Sequence, residues 1–310
     1  MNRRLVTVFG GSGFVGRNLV QRLAEDGWTV RVAVRDTEAA LFLKVLGGAG
    51  QIVPIAADVT DRGTVDAAVR EADAVVNLVG ILYERGRRTF QRIHVDGARN
   101  VAEAAQASGA ARLVQMSAIG ASANSPAAYA RTKAAGERVA MDAFAGASAV
   151  RPSVVFGPED DFFNRFAKLA QLLPALPVFD TSFQPVYAAD VAEAICRILN
   201  DPEAPGKIYH LGGPRVISFR EVMELVMSET GRRRFLFPMP LWIASAEAFF
   251  LEMLPVPPLT RDQVKLLGIP NVVPAGSLTF RELGIEPTSV EAVLPTYLRR
   301  YRPPILQQER

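Results

Sequence analysis

"VFGGSGFVGRNL", Val8 to Leu19, sets Gly10, Gly13 and Gly16 at regular spacing, directly behind the β-branched run LVTVF (5–9) and at the head of a helical pattern from Phe14 to Asp26. The spacing meets three physical demands. Gly10 permits a tight turn out of the strand, Gly13 lets the backbone come close to a pyrophosphate, and Gly16 allows the new helix to pack against the strand. The first helical residues, Phe14, Val15, Gly16 and Arg17, carry backbone N–H groups without intrahelical partners, and the positive end of the helix dipole lies with them. Ser12 adds a hydroxyl. A glycine triplet alone is a weak signal, but after the first strand of the chain it reads as a cradle for a dinucleotide phosphate.

Outward from that turn, TVRVAV (29–34), IVPIAA (52–57), AVVNLV (74–79), RLVQMS (112–117) and SAVRPSVVF (148–156) are further short apolar runs. Helical stretches such as Thr64–Glu71 and Val95–Ser108 separate them. This alternation predicts a parallel sheet covered on both faces, an α/β doubly wound Rossmann fold whose ligands gather at the carboxyl ends of the strands. The dinucleotide-binding domain is expected over 1–157, its sheet completed by about 186–212, where Ala189–Asn200 reads as a helix and KIYHLGG (207–213) as a strand. The remainder, 158–185 and 213–310, predicts a smaller, mostly helical C-terminal lobe for substrate or partner, with a helix over Phe162–Leu173.

The second strand ends in RVAVRD, which puts Arg35 where an acidic residue would otherwise grip a ribose 2′-hydroxyl. A guanidinium there suits a 2′-phosphate, and Arg17 can join it, so the pattern favours NADP(H). Asp36 follows at once and keeps NAD(H) open. Asp58 and Val59, at the next strand end, are candidates for the adenine, and Leu78, Val79 and Gly80 for the ribose and phosphates.

Composition sets outer limits. Basic residues number 35 and acidic residues 32, and neither Arg85–Arg88 nor Arg232–Arg234 extends into a nucleic-acid arm, so no nucleic-acid partner is expected. One cysteine, Cys196, excludes an internal disulfide, and with only two histidines a zinc site is not expected. The opening MNRRLVTVFGG meets its glycine turn too soon for a signal peptide, and no eighteen-residue uncharged apolar run reads as a membrane span. A soluble or peripherally attached protein is expected. The most apolar part of the second half is RFLFPMPLWIASAEAFFLEMLPVPPLTRDQ (234–263), with helical spacing over Leu241–Met253 between prolines. It is open to three readings: a lid, a core helix, or a face for a protein partner or a membrane surface through 235–259.

Tyr129 and Lys133 in SPAAYARTK stand four residues apart, on one face of a helix starting near Pro126. A lysine ammonium beside a phenol lowers the phenol's pKa and can hold a nicotinamide ribose, while the phenol exchanges a proton with a carbonyl or alcohol. Ser117 closes the preceding strand, and Pro152, Val154 and Val155 in RPSVVFGP are candidates to line the nicotinamide.

With GGSGFVG, YARTK, RPSVVFG and QPVYAADVA in view, the chain resembles the extended or atypical short-chain dehydrogenase/reductases over nearly its whole length. YARTKAAGE, RPSVVFGPEDDFFNRFA, FPMPLW and LTRDQVKLL make it most similar to the branch formed by the NADPH-containing accessory subunits of respiratory complex I, the NADH:quinone oxidoreductase. That resemblance implies a tightly held nucleotide that is structural or redox-sensing. It also implies complex I partners near the junction of the peripheral and membrane arms. The place would be the cytoplasmic face of a bacterial inner membrane or the matrix side in mitochondria. Two departures from working reductases stand out: Ile119 occupies the place of the helper Ser or Thr, and His94 that of an asparagine. Losing such a hydrogen-bond donor typically costs about 3 kcal/mol of barrier. Ser122 and His94 are the candidates to compensate. The alternative is an active NAD(P)-dependent reductase, epimerase or dehydratase that uses Tyr129 and Lys133 on a carbonyl, sugar-nucleotide or isoprenoid-like substrate.

Overall fold

The computed structural model describes residues 4–303. The chain forms two compact units. The first runs to Arg151 and takes in Ala188–His210 and Gly276–Ile285; the second holds Pro152–Tyr187, Leu211–Ala275 and the segment from Glu286 onward.

The first unit is built on parallel strands β1 (Leu5–Phe9), β2 (Thr29–Val34), β3 (Ile52–Ala56), β4 (Ala74–Asn77), β5 (Arg112–Met116) and β6 (Ser148–Pro152), with Ile208–Leu211 at one edge. The order is Ile208–Leu211, β6, β5, β4, β1, β2, β3. The order reverses beside β1, which opens a crevice at the carboxyl ends of β1 and β4. Register pairs apolar residues with apolar residues: Val6 lies opposite Val30 and Ala74, and Val8 opposite Val32 and Val76. Helices α1 (Phe14–Glu25), α2 (Arg62–Val69), α3 (Gly97–Ala107), α4 (Ala128–Ala143) and, later in the chain, α6 (Ala188–Asn200) cover the sheet. α6 packs on α1, whereas α3 packs between α2 and α4. Phe9, Val75 and Leu113 share a core with Val65, Val101 and Phe144. Strands buried on both sides are mostly apolar, which is why they lack alternation.

The expected elements shift in three places. The run 148–156 is not one strand: after β6, Ser153 donates its N–H to Leu211 O but Val154 donates to the side chain of Asn271, so the chain has left the sheet before the short Val155–Phe156 strand. The third helix is preceded by a π-helical turn at Gln91–Asp96, a wider turn than the even periodicity implied. The unit boundary lies at 151–152, and Gly276–Ile285 belongs to the first unit because His210 donates its N–H to Leu278 O (2.8 Å).

In the second unit α5 (Phe162–Leu172), α7 (Phe219–Thr230), α8 (Leu241–Leu251), α9 (Arg261–Leu267) and α10 (Val290–Leu298) accompany short strand pairs. Phe163, Leu176, Phe219, Met223 and Leu294 form its core. α7 starts at a Ser218–Glu221 capping box and stops at Gly231, whose φ of 62° supplies the left-handed stop. α8 has an inverted burial pattern. Only Ala244 and Ala248 are buried, while Trp242 (74% exposed), Phe250 (68%) and Phe249 face solvent, followed by Met253 (80%).

Candidate functional site

The cradle is steric first. A Cβ on Gly16 would stand 2.3 Å from the Gly10 carbonyl oxygen, so only glycine lets α1 start this close to the β1 turn. Gly10 has φ 77°, donates its N–H to Ala33 O and accepts from Gly13 N–H. Gly13 is the N-cap of α1 and supplies no side-chain cap, which leaves the first N–H groups of the helix for an anion. Ser12, Phe14 and Val15 are partly exposed around this turn, and the Arg17 guanidinium lies over the Phe42 ring at 5.3 Å.

The other strand ends converge at the same edge. Arg35, one residue beyond β2, is exposed. Asp36 is engaged locally, because its Oδ1 accepts from Ala39 N–H at 3.0 Å. Asp58 Oδ1 accepts from both the N–H and the hydroxyl of Thr60. Val59 is buried and packs where a Cβ on Gly97 would come within 2.8 Å of its methyl. Leu78 donates its N–H to Phe9 O, and Val79 lies against Gly10. Gly80 neighbours Lys133: a Cβ there would be 3.1 Å from Nζ.

Lys133 is buried (6% exposed), with Nζ donating to Met116 O at 3.3 Å, at the end of β5. Burial pulls its ammonium down to about 8, and Glu137 opposes that shift. Tyr129 departs from the sequence-based expectation. Burial pushes its phenol up to about 12 rather than down, so the phenol is neutral near pH 7. Ser117 is 3% exposed, and its Oγ has no hydrogen-bond partner among the described residues. An orphaned hydroxyl at the end of β5, beside a cradle that a Cβ would fill and an uncapped helix start, fits a nicotinamide dinucleotide. When bound, that group supplies hydride chemistry; Lys133 and the N–H groups of α1 are what would hold it.

The two departures are resolved in atomic detail. Ile119 is buried (7% exposed), and its side chain carries no polar atom. His94 is buried, and both ring nitrogens are occupied. Nε2 accepts from Ile81 N–H at 3.1 Å, which puts the ring proton on Nδ1, 3.0 Å from Thr132 Oγ1. Thr132 sends its own proton to Ala128 O, so it accepts from the imidazole. Burial, and then the charge of Lys133, hold His94 neutral by lowering it to about 3. The ring meets Tyr129 edge-on, with centroids 5.4 Å apart, and stacks on Phe90. His94 therefore buttresses the tyrosine and has no hydrogen bond left to offer a substrate. Ser122 is exposed and accepts from Asn124 N–H. Thr132, Glu137 and Gly136 escaped the sequence reading; only the helical spacing after Tyr129 hints at the first two. Pro152, Val154 and Val155 fall in the second unit, where Val155 pairs with Val186.

A profile described as the NAD dependent epimerase/dehydratase family matches residues 6–212. The chain belongs to that family. This epimerase/dehydratase-family chain is 33% identical over 304 residues to NADH dehydrogenase (ubiquinone) 1 alpha subcomplex subunit 9, mitochondrial, of Mus musculus, covering 96% of this chain and 80% of that one. It is 32% identical over 312 residues to the NADH-ubiquinone oxidoreductase 40 kDa subunit, mitochondrial, of Neurospora crassa, covering 98% and 83%. Among solved structures, the dTDP-glucose 4,6-dehydratase DesIV of Streptomyces venezuelae, with NAD and TYD bound, superposes with a TM-score of 0.74 at 20% identity, covering 98% and 99%. At that identity the likeness shows the fold. The family is one that binds NAD(P), in agreement with the cradle.

Proposed function

We propose that this chain is an NADP(H)-holding accessory subunit of a respiratory NADH:quinone oxidoreductase, in which the nucleotide is structural or redox-sensing. The observation that carries the reading is its likeness, over 96% and 98% of its length, to two subunits named for that enzyme. The site supports the nucleotide's role. It keeps the cradle, Tyr129 and Lys133, but presents Ile119 and a fully engaged His94 where a carbonyl would need its second donor. Arg35 is free to meet a 2′-phosphate while Asp36 is held by Ala39 N–H, which favours NADP(H) over NAD(H). Val154 and Val155 serve as candidates for the nicotinamide lining.

The solvent-facing aromatics of α8 suit attachment near the junction of the peripheral and membrane arms, against neighbouring subunits or the lipid surface. No helix among the described residues is long and apolar enough to cross a membrane, which fits a peripheral place on the cytoplasmic or matrix side.

The test is purification from native membranes followed by nucleotide extraction. NADPH in stoichiometric amount and co-purifying quinone-reductase subunits are expected. A purified protein that turns over NADPH repeatedly on a carbonyl substrate, and loses this in Tyr129→Phe, would replace the reading with that of an active reductase. The intact Tyr129–Lys133 pair, one turn apart on α4, is the observation that favours this second reading.

A further inference from the structure

Behind Lys133 lies a line of polar groups, buried at Glu137 and half-buried at Arg151 and His210. Glu137, one helical turn further along α4, is 5% exposed. Its carboxylate accepts from Arg151 on β6 at two points, from Nε at 2.8 Å and from Nη2 at 2.5 Å. The remaining Arg151 nitrogen, Nη1, faces His210 Nε2 at 3.3 Å. Since Arg151 can only donate, His210 accepts and carries its own proton on Nδ1. A proton on Nε2 would point at a guanidinium, and burial together with the Arg151 charge holds this imidazole neutral.

The groups around Lys133 can be enumerated by element. Tyr129 and Glu137 share α4 with it, His94 comes from the π-helical turn before α3, and Gly80 and Met116 bring only backbone from the ends of β4 and β5. Arg151 and His210 stand behind Glu137. Of these, Glu137 is the one anion. Without it, the buried Lys133 ammonium and the half-buried Arg151 guanidinium would face no anion among these groups, a costly arrangement. The bidentate grip of Arg151 also fixes which way the carboxylate points, since a fork of two parallel N–H bonds tolerates little rotation.

We propose that the Glu137–Arg151 pair is a positioning element for the nucleotide site: the buried carboxylate, one turn along α4 from Lys133, supports the ammonium, and Arg151, backed by His210, locks that carboxylate. The proposal rests on the functional reading above for its purpose, the contact of Lys133 with a nucleotide ribose. Its physical content stands apart from it.

The test uses the full chain with ¹³Cε-labelled lysine. The chain has five lysines, and Lys133→Met identifies the signal of interest by its loss. Glu137→Gln should move the Lys133 titration to lower pH by about one pH unit, and Arg151→Gln, which frees the carboxylate from its guanidinium, should move it higher. A purely structural pair would lower the melting temperature in both variants and leave the titration midpoint where it was. Midpoints that stay put, or that move the same way in both variants, overturn the proposal. If either single variant fails to fold, Glu137→Leu combined with Arg151→Met removes both charges without stranding one, and its Lys133 should titrate below the wild-type protein. An unchanged midpoint there counts equally against the idea. The measurement needs no nucleotide. Shifted midpoints in a protein that binds neither NADPH nor NADH would leave this inference standing and remove the proposed function instead.

Discussion

Gly136→Ala is the sharpest single test of how the Tyr129 site is assembled. In most helix interiors this change stabilises by about 0.5–1 kcal/mol, because alanine loses less backbone entropy on folding. Here the added Cβ would stand 1.8 Å from the His94 carbonyl oxygen and 2.8 Å from its carbon. Real Cβ contacts essentially never fall under 3.0 Å, so α4 and the π-helical turn must separate by at least 1.2 Å, the difference between 3.0 and 1.8. The opposing atom is backbone and cannot rotate away. Overpacking of this kind costs about 1–3 kcal/mol, and a backbone-to-backbone clash belongs at the upper end. The net expectation is a loss of about 2 kcal/mol and a fall in Tm of about 4–8 °C. Because α4 carries Tyr129 and Lys133, the same separation should weaken nucleotide binding by tenfold or more, which calorimetric titration reads directly. Gly63→Ala is the control: its nearest neighbour would be Asp61 Oδ1 at 3.5 Å, an ordinary contact, so stability should hold or rise. A Gly136→Ala protein that melts at or above wild type with unaltered nucleotide affinity would refute the close-approach argument.

Other expectations follow from single contacts. Gly16→Val places its Cβ 2.3 Å from Gly10 O and should abolish nucleotide binding in a titration; retained affinity would mean that the turn does not hold the phosphates. Arg35→Asp should weaken NADPH by about 10–100-fold, the worth of a charge-assisted hydrogen bond, while NADH changes little; equal loss for both would withdraw the 2′-phosphate role. His94 is depressed from 6.5 to about 3 in the fold, so the unfolded chain binds the extra proton between those values. Its contribution to stability is therefore complete above pH 6.5 and is lost as the pH falls toward 3. Urea unfolding across that range should show a steeper loss in wild type than in His94→Gln, and parallel curves would count against a buried neutral imidazole.

What the sequence disclosed and what it withheld divide along a physical line. Gly10, Gly13 and Gly16 announce the cradle because the demand on them is local, met by the turn they themselves form. Tyr129 and Lys133 are legible because helical spacing alone puts them on one face. The strands are legible because burial on both sides favours runs of apolar residues in them. Gly136 and Gly97 look like ordinary helix glycines; their reason is a distant backbone or methyl group. Whether Asp36 competes with Arg35 for a ribose depends on where its carboxylate points, and only the Ala39 N–H decides that. The strand expected over 148–156 fails for a similar reason: Asn271, far along the chain, offers Val154 a side-chain acceptor in place of a ladder partner.

The arrangement around Tyr129 also separates what a Tyr-x-x-x-Lys motif needs for turnover from what it needs for binding. Proton exchange with a carbonyl asks two things of the protein, a phenol that can give or take a proton and a second donor that holds the carbonyl oxygen. Here the first is present in its neutral form, because burial raises the phenol. At the two places where the second is expected, the Ile119 side chain is apolar and His94 has spent both ring nitrogens on Ile81 and Thr132. Lys133 serves binding as well as chemistry, so selection for a tightly held nucleotide suffices to keep it. The same would hold for Glu137 and Arg151 behind it if they act as proposed above. If binding is what the site preserves, Tyr129→Phe should leave nucleotide affinity within about twofold, whereas Lys133→Met should lose tenfold or more. A tyrosine variant that binds as poorly as the lysine variant would show that the phenol itself belongs to the grip.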